Sequence, residues 1–446
     1  MKILHYTLGL PPMRSGGLTK YALDLMNEQT KKYSVVHLFP GAVDFLNKKT
    51  RVKPYTKIMN DIAHYEIVNS LPLPLFRGIK TPADFMKSVD KSIYINFLNQ
   101  IKPDIIHVHT LMGIHKEFFE AANELSIKLV YTTHDYFGFC PTINLYKDHE
   151  QVNCSDFEGG RGCAQCCYNS MGTKTLRLSQ TSIYSTLKKV KKIKSILNTT
   201  KNSVANIDAY VPNKKVSEEY LILRHFYLSL FQHINLFHFN SHIAKNIYEQ
   251  YIPNIKGEII DITHSNIQQK IVKKNKSEKI KLGYLGPFKE YKGFSLLVDV
   301  FKELPSNKYE LHLYGDDQKI ELGDNLYSYG RYSINELENI FANIDVLIVP
   351  SVWKETFGFI ALEALSHGTP VIVSENVGSK DLIDNRFGWI VNEKNILNIL
   401  KSIDKESLKA KYEKIQAEFQ VETISQHVKK IAKELYSLKN SNENIG

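Results

Sequence analysis

Short runs of β-branched and other apolar residues alternate along this chain with stretches whose apolar positions recur every three or four residues. In the first 135 residues, 2–6, 34–38, 104–107 and 128–132 carry the strand pattern, and 18–29, 84–100 and 115–125 carry the helical one. Strands and helices in turn predict a parallel, doubly wound sheet. Residues 136–175 lose all periodicity and read as an insertion or ordered loop, and 176–235 turn helical and basic. Strand patterns return at 236–240 and 258–263. A second alternation then begins, with strands at 281–285, 310–314, 346–349 and 370–373 and helices at 294–303, 333–342 and 359–367 between them. The fold expected is α/β, with two Rossmann-like domains facing across a cleft. Residues 1–266 form the first, with an insertion at about 136–235. The Lys-rich stretch 267–279 is the linker, 280–406 the second domain, and 407–446 a C-terminal helix and tail, helical from 407 to 438. Two doubly wound domains place a ligand at the carboxyl ends of their strands, in the cleft.

Composition narrows this little. The chain has 446 residues, 43% hydrophobic and 23% charged, which is ordinary for a globular protein and excludes disorder as its main state. A net charge of +10 permits an anionic partner without naming one. No stretch reaches the 18 or so apolar residues of a membrane span. The best approach, 221–239, is broken by Arg224, His225, Gln232, His233, Asn235 and His238. His5 and the pair Pro11-Pro12 argue against a cleaved leader at the N-terminus. The cysteines all fall between Cys140 and Cys167, an odd set that favours reduced thiols and a cytoplasmic location.

The most specific chemistry lies in "PSVWKETFGFIALEA", residues 350–364. A buried strand runs into a Pro-Ser turn and a helix opens near Gly358, with Glu355 just before it and Glu363 a turn inside. Free amides at a helix start bind anionic or hydroxyl-rich ligands. Glu355 can accept from sugar hydroxyls and Glu363 from the two hydroxyls of a ribose. Alone, each Glu would be a cap or a solvated helix residue. Together, beside the strand that begins after Gly368-Thr369, they favour binding.

That stretch resembles the E-x7-E signature of family 4 retaining glycosyltransferases of the GT-B fold. The similarity extends over most of the chain: "GPFKEYKG" at 286–293 resembles the family's phosphate-binding stretch, "GRYSINEL" at 330–337 its base-pocket segment, and "PDIIHVHT" and "THD" its N-terminal strands. The resemblance implies that Glu363 binds the donor ribose and that Glu355 binds the transferred sugar with the amides of Phe357 and Gly358. It further implies that Lys292 binds the diphosphate, that Arg331 lines the base pocket and that His134 contacts the transferred sugar. Gly16 and Gly17, which follow strand one and open a helix, would lie against the diphosphate. They do not form a dinucleotide fingerprint. One departure stands out: the Arg expected after Gly286 is Pro287, with Lys289 nearby as a replacement cation.

Three further features carry alternatives. His107 and His109 face one side of a strand, as metal ligands or, more simply, as packed residues. Cys140, Cys154, Cys163 and Cys166 are compatible with a structural zinc or with reduced thiols under a loop. The lysine-dense pattern at 187–197 fits an interfacial helix on anionic lipid or the solvated face of a packed helix. Nucleic-acid binding has no supporting motif.

The expected reaction is glycosyl transfer with retention from a UDP- or GDP-sugar to a glycan acceptor, lipid-linked, in capsule or exopolysaccharide synthesis. No cofactor is required: the chain contains no D-x-D. The departing diphosphate would be stabilised by Lys292, loop amides and helix dipoles. Two alternatives are a catalytically silent sugar-nucleotide-binding partner, which Pro287 favours, and a GT-B-like epimerase.

Overall fold

The structure is a computed structural model and describes residues 1–56, 61–74, 78–181, 210–318, 323 and 325–437. The basic pattern at 187–197 lies outside these residues.

The N-terminal unit is built on β1 (Lys2–Tyr6), β2 (Ser34–Pro40), β3 (Arg51–Pro54), β4 (Ala63–Val68), β5 (Ile105–Val108), β6 (Lys128–Thr132), a small hairpin of β7 (Tyr146–Lys147) and β8 (Val152–Asn153), β9 (Leu236–Phe239) and β10 (Gly257–Ile259). Its main sheet has the order β10-β9-β6-β5-β1-β2-β4-β3, parallel except for the β3–β4 edge. The C-terminal unit uses β11 (Ile280–Leu285), β12 (Tyr309–Tyr314), β13 (Leu326–Ser328), β14 (Val346–Val349), β15 (Val371–Ser374) and β16 (Gly388–Val391), in the order β13-β12-β11-β14-β15-β16 and wholly parallel. Both sheets reverse direction beside their first strand, between β1 and β5 and between β11 and β14. Crevices open there at the carboxyl ends of the strands.

The helices that cover these sheets are α1 (Gly17–Gln29), α2 (Ser92–Ile101), α3 (Lys116–Glu124), α4 (Arg161–Cys166), α5 (Thr173–Ser179), α6 (Lys214–Phe231), α7 (His242–Tyr251), α8 (Phe294–Lys302), α9 (Leu337–Asn343), α10 (Phe359–Ser366), α11 (Ile396–Ser402), α12 (Lys405–Glu418) and α13 (Ile424–Leu435). β5, β14 and β15 are buried at every position, so they read as apolar runs, broken only by His107 in β5 and Ser374 at the end of β15, rather than as alternating patterns. The expected helix at 84–100 divides in two. A short 3-10 turn spans Pro82–Phe85, and α2 starts afresh where Asp90 accepts the Ser92 amide. The expected helix at 407–438 also breaks: Thr423 and Gln426 form a capping box that opens α13 as a separate helix. α13 returns to the N-terminal sheet, where Val428, Ile431, Leu435 and Tyr436 join Ile3, Tyr21 and Leu25 in one buried cluster with Phe357 and Leu362 of the second unit. This seam holds the two crevices face to face.

Residues 267–279 are a tied strap. The Lys270 and Val272 amides donate to Ser366 O and His367 O. Half-buried Lys274 donates from Nζ to Phe341 O, Ile344 O and Thr369 Oγ1.

Candidate functional site

Two loops meet at the β11/β14 crevice. The first, 286–293, turns through a 3-10 segment, Glu290–Lys292, and ends at Gly293, whose φ of 72° suits glycine. A Cβ at Gly293 would strike the carbonyl of Pro350, so its lack of a side chain lets the two loops touch. The second, 350–358, bonds the first where the Val352 and Trp353 amides donate to Tyr291 O. Lys292 Nζ thereby lies 2.7 Å from Glu355 Oε1 and 5.2 Å from the centroid of the Trp353 ring. Ser351 Oγ donates to Glu355 Oε2 at 2.9 Å. Glu355 is braced from the backbone as well: its amide donates to Asn376 O and its carbonyl accepts from the Gly378 amide.

Gly358, at φ 91°, opens α10, and a Cβ there would meet Val377 Cγ1 at 2.8 Å. Among the described residues, the amides of Phe357 and Gly358 have no acceptor, which leaves them for a ligand at the helix start. Glu363 lies on α10 with Oε1 3.2 Å from His264 Nε2, a buried residue at the end of the N-terminal unit. The Gly16-Gly17 loop approaches from the other side, and a Cβ on Gly17 would touch the Phe359 ring at 3.4 Å. His134 enters the same region: its carbonyl accepts from Thr356 Oγ1 at 3.0 Å, one residue from Glu355.

The structure therefore brings Glu355, Lys292, Phe357, Gly358, Glu363, Gly17 and His134 to one interdomain seam. Arg331 is different. It is 76% exposed and paired with Asp317 at the rim. Lys289 is also exposed, while the carbonyl of Pro287 accepts from Tyr284 OH. Sequence reasoning gave no role to Ser351, although it lies in the Pro-Ser turn of the 350–364 stretch, and missed His264, which belongs to no readable motif. It also missed Asn153, whose Nδ2 donates to Val352 O at 2.7 Å and whose Oδ1 accepts the Lys354 amide.

The cysteines cluster beneath the β7–β8 hairpin. Burial raises the Cys163 thiol to about 12 and raises Cys154, Cys166 and Cys167 as well. The cation set among them is Arg224, with its guanidinium 3.9 Å from the Phe157 ring centroid. Among the described residues, ligand atoms of His5, His107 and His109 lie within 4.8 Å of one another, close enough to share an ion. Every ring nitrogen of those three is already paired. His5 bonds Gln29 and His109, His107 bonds Tyr436 and Thr132, and His109 bonds His5 and His134. They are packed, hydrogen-bonded residues.

The fold is GT-B. A sucrose-phosphate synthase from Thermosynechococcus elongatus superposes with a TM-score of 0.55 at 15% identity, over 98% of this chain and 99% of that one. The Anabaena protein HepE, in complex with UDP and glucose, does so with a TM-score of 0.54 at 14% identity, over 98% and 100%. Residues 266–418, which hold the E-x7-E stretch, match the family model described as glycosyl transferases group 1. An uncharacterized 41.2 kDa protein from the cps region of Klebsiella pneumoniae is 33% identical over 146 residues, 31% of this chain and 40% of that protein. The chain spans less than two thirds of the length of the first curated relatives it matches. Among the described residues no helix is long and apolar enough to cross a membrane.

Proposed function

We propose that the protein is a retaining glycosyltransferase that moves a sugar from a UDP- or GDP-sugar to a glycan acceptor, lipid-linked, in the assembly of a cell-surface polysaccharide. The observation that carries this reading is the Lys292–Glu355 pair, 2.7 Å apart where the two donor-side loops meet. A diphosphate arriving beside Lys292 competes with Glu355 for the ammonium and frees the carboxylate to accept from sugar hydroxyls. The unpaired Phe357 and Gly358 amides receive the remaining negative charge, and Glu363 with His264 receives the ribose. Stabilisation of the departing diphosphate by these groups supplies most of the acceleration, with no protein nucleophile or bound metal in the scheme. The group 1 match over 266–418 and the UDP and glucose held by HepE support the donor class, and the cps-region relative supports the polysaccharide context.

The test is nucleotide release from a panel of UDP- and GDP-sugars, with product anomers read by NMR. One donor is expected to turn over with retention, and Glu355→Ala and Lys292→Ala each to lower the rate by about 100-fold or more. Wild-type rates in both variants would overturn the site assignment. Pro287 favours one second reading, a silent sugar-nucleotide-binding partner. That reading gains if a nucleotide sugar raises the melting temperature yet no nucleotide is released.

A further inference from the structure

A continuous hydrogen-bonded chain crosses the face of the N-terminal sheet. It begins at the Ile260 carbonyl, which can only accept, so His238 Nε2 carries the proton at 2.8 Å. Burial lowers the basicity of the five histidines of this relay, bringing His5 and His238 to about 4 and holding His107, His109 and His134 low as well. Each is therefore neutral, with one N–H and one lone pair.

Neutrality fixes the remaining directions. His238 Nδ1 must accept, so Thr132 Oγ1 donates to it at 2.9 Å, and Thr132 in turn accepts from His107 Nε2–H at 2.7 Å. His107 Nδ1 must then accept from Tyr436 OH, and the Tyr436 oxygen accepts from Gln29 Nε2 at 3.1 Å. That orients the Gln29 amide with Oε1 toward His5, whose Nε2–H donates at 2.7 Å. His5 Nδ1 accepts from His109 Nε2–H at 3.0 Å, and His109 Nδ1 from His134 Nε2–H at 3.2 Å. No link contradicts another. Every member is buried except His134, the terminal one, which is partly open to the interdomain seam.

We infer that Gln29 and Tyr436 are positioning residues that hold His134 in one tautomer, proton on Nε2 and lone pair on Nδ1. Nδ1 has no partner among the described residues. The histidine thus offers the seam an acceptor for a ligand hydroxyl rather than a donor. The consequence for sugar binding rests on the proposed function, whereas the tautomer itself does not. Tyr436 follows α13, so the chain's C-terminal helix reaches the seam through this relay.

The direct test is two-bond proton–nitrogen correlation NMR on the ligand-free, full-length protein with labelled histidine, the His134 signal being assigned by its loss in His134→Gln. The wild type is expected to show His134 protonated on Nε2 alone, and a proton on Nδ1 would overturn the inference. Tyr436→Phe leaves the Gln29 amide free to turn, which reverses His5, His109 and His134 together. Both tautomers of His134 should then coexist within about tenfold of each other. Gln29→Met removes the same anchor and should give the same mixture, so the test survives if either variant folds poorly. An unchanged single Nε2–H signal in both variants would show that Gln29 and Tyr436 do not set the tautomer. With the sugar nucleotide that proves active, the Tyr436→Phe turnover is expected to fall about 10-fold, as when the outer partner of a functional histidine is lost. Loss of turnover with the His134 spectrum unmoved would also overturn it.

Discussion

Gly293 is where a missing side chain does most for the site. Its φ of 72° and its contact with the Pro350 carbonyl let the Lys292 loop lie on the Glu355 loop. Gly293→Ala imposes both a backbone penalty and a collision with main chain that cannot turn away. The expected loss is about 2–4 kcal/mol, read from the urea midpoint, with nucleotide affinity falling alongside it. Gly159 is the control: it shares a positive φ, 61°, but has open space around it, so Gly159→Ala should cost only about 1 kcal/mol. Equal losses at the two positions would mean that loop contact adds nothing. The same local view explains what was legible at this scale. Glu355, Glu363 and Lys292 sit in spaced motifs beside a strand and a helix start, so residue types and intervals pointed to them. His264 stands alone in sequence and acquires its role by meeting Glu363 across 99 residues. No local pattern carries that information.

The β7–β8 hairpin is the element whose role was least readable. It lies in the aperiodic insertion, yet its Asn153 bonds Val352 O and the Lys354 amide, gripping the loop that carries Glu355 as a neighbouring strand would. Tyr146 of the same hairpin approaches Tyr291, with ring centroids 6.3 Å apart. Asn153→Ala leaves the Lys354 amide without its acceptor and Val352 O with Asn376 Nδ2 alone, at a cost of about 1–3 kcal/mol. UDP titrated calorimetrically into the variant should bind about 5- to 10-fold more weakly. Unchanged affinity would reduce the hairpin to a surface ornament. The long parallel strands and their helices were legible because burial on both faces writes unbroken apolar runs. β3, β4, β13 and β16 were not: β3, β13 and β16 are short strands at sheet edges, and His64 and Glu66 interrupt the longer β4. The breaks at 86–91 and 419–423 escaped notice because helical periodicity continues through them. A turn in which Asp90 accepts the Ser92 amide and the Thr423 capping box divide the run.

At the scale of the whole molecule, the buried histidines make the fold acid-sensitive. Burial lowers His5 and His238 to about 4, His115 to about 3, and depresses His37, His107, His109, His134 and His427 as well. In the unfolded chain each takes up a proton near 6.5, whereas the folded chain does so only at lower pH. Stability is therefore full above about pH 7 and is lost as pH falls from 6.5 toward 4. His5 alone accounts for about 3 kcal/mol at one pKa unit per 1.36 kcal/mol, and His238 for as much again. Their sum is comparable to the total stability of an ordinary domain. Asp135 acts with the opposite sign, since burial raises it to about 7 and the folded state holds its proton longer, and burial raises Asp261, Glu117 and Glu422 in the same sense. Half-buried Lys274, lowered to about 7, adds to the preference for neutral or alkaline conditions. Urea unfolding at pH 8, 6.5 and 5 should show a midpoint already lower at 6.5, where each unfolded histidine is half protonated, and far lower at 5, with the slope unchanged. The α13 seam should fail in the same transition, because Tyr436 is bonded to His107 and buried His427 of α13 to Tyr21. A midpoint as high at pH 5 as at pH 8 would mean that these histidines are already charged in the fold. In that case the single-tautomer relay ending at His134 could not exist either.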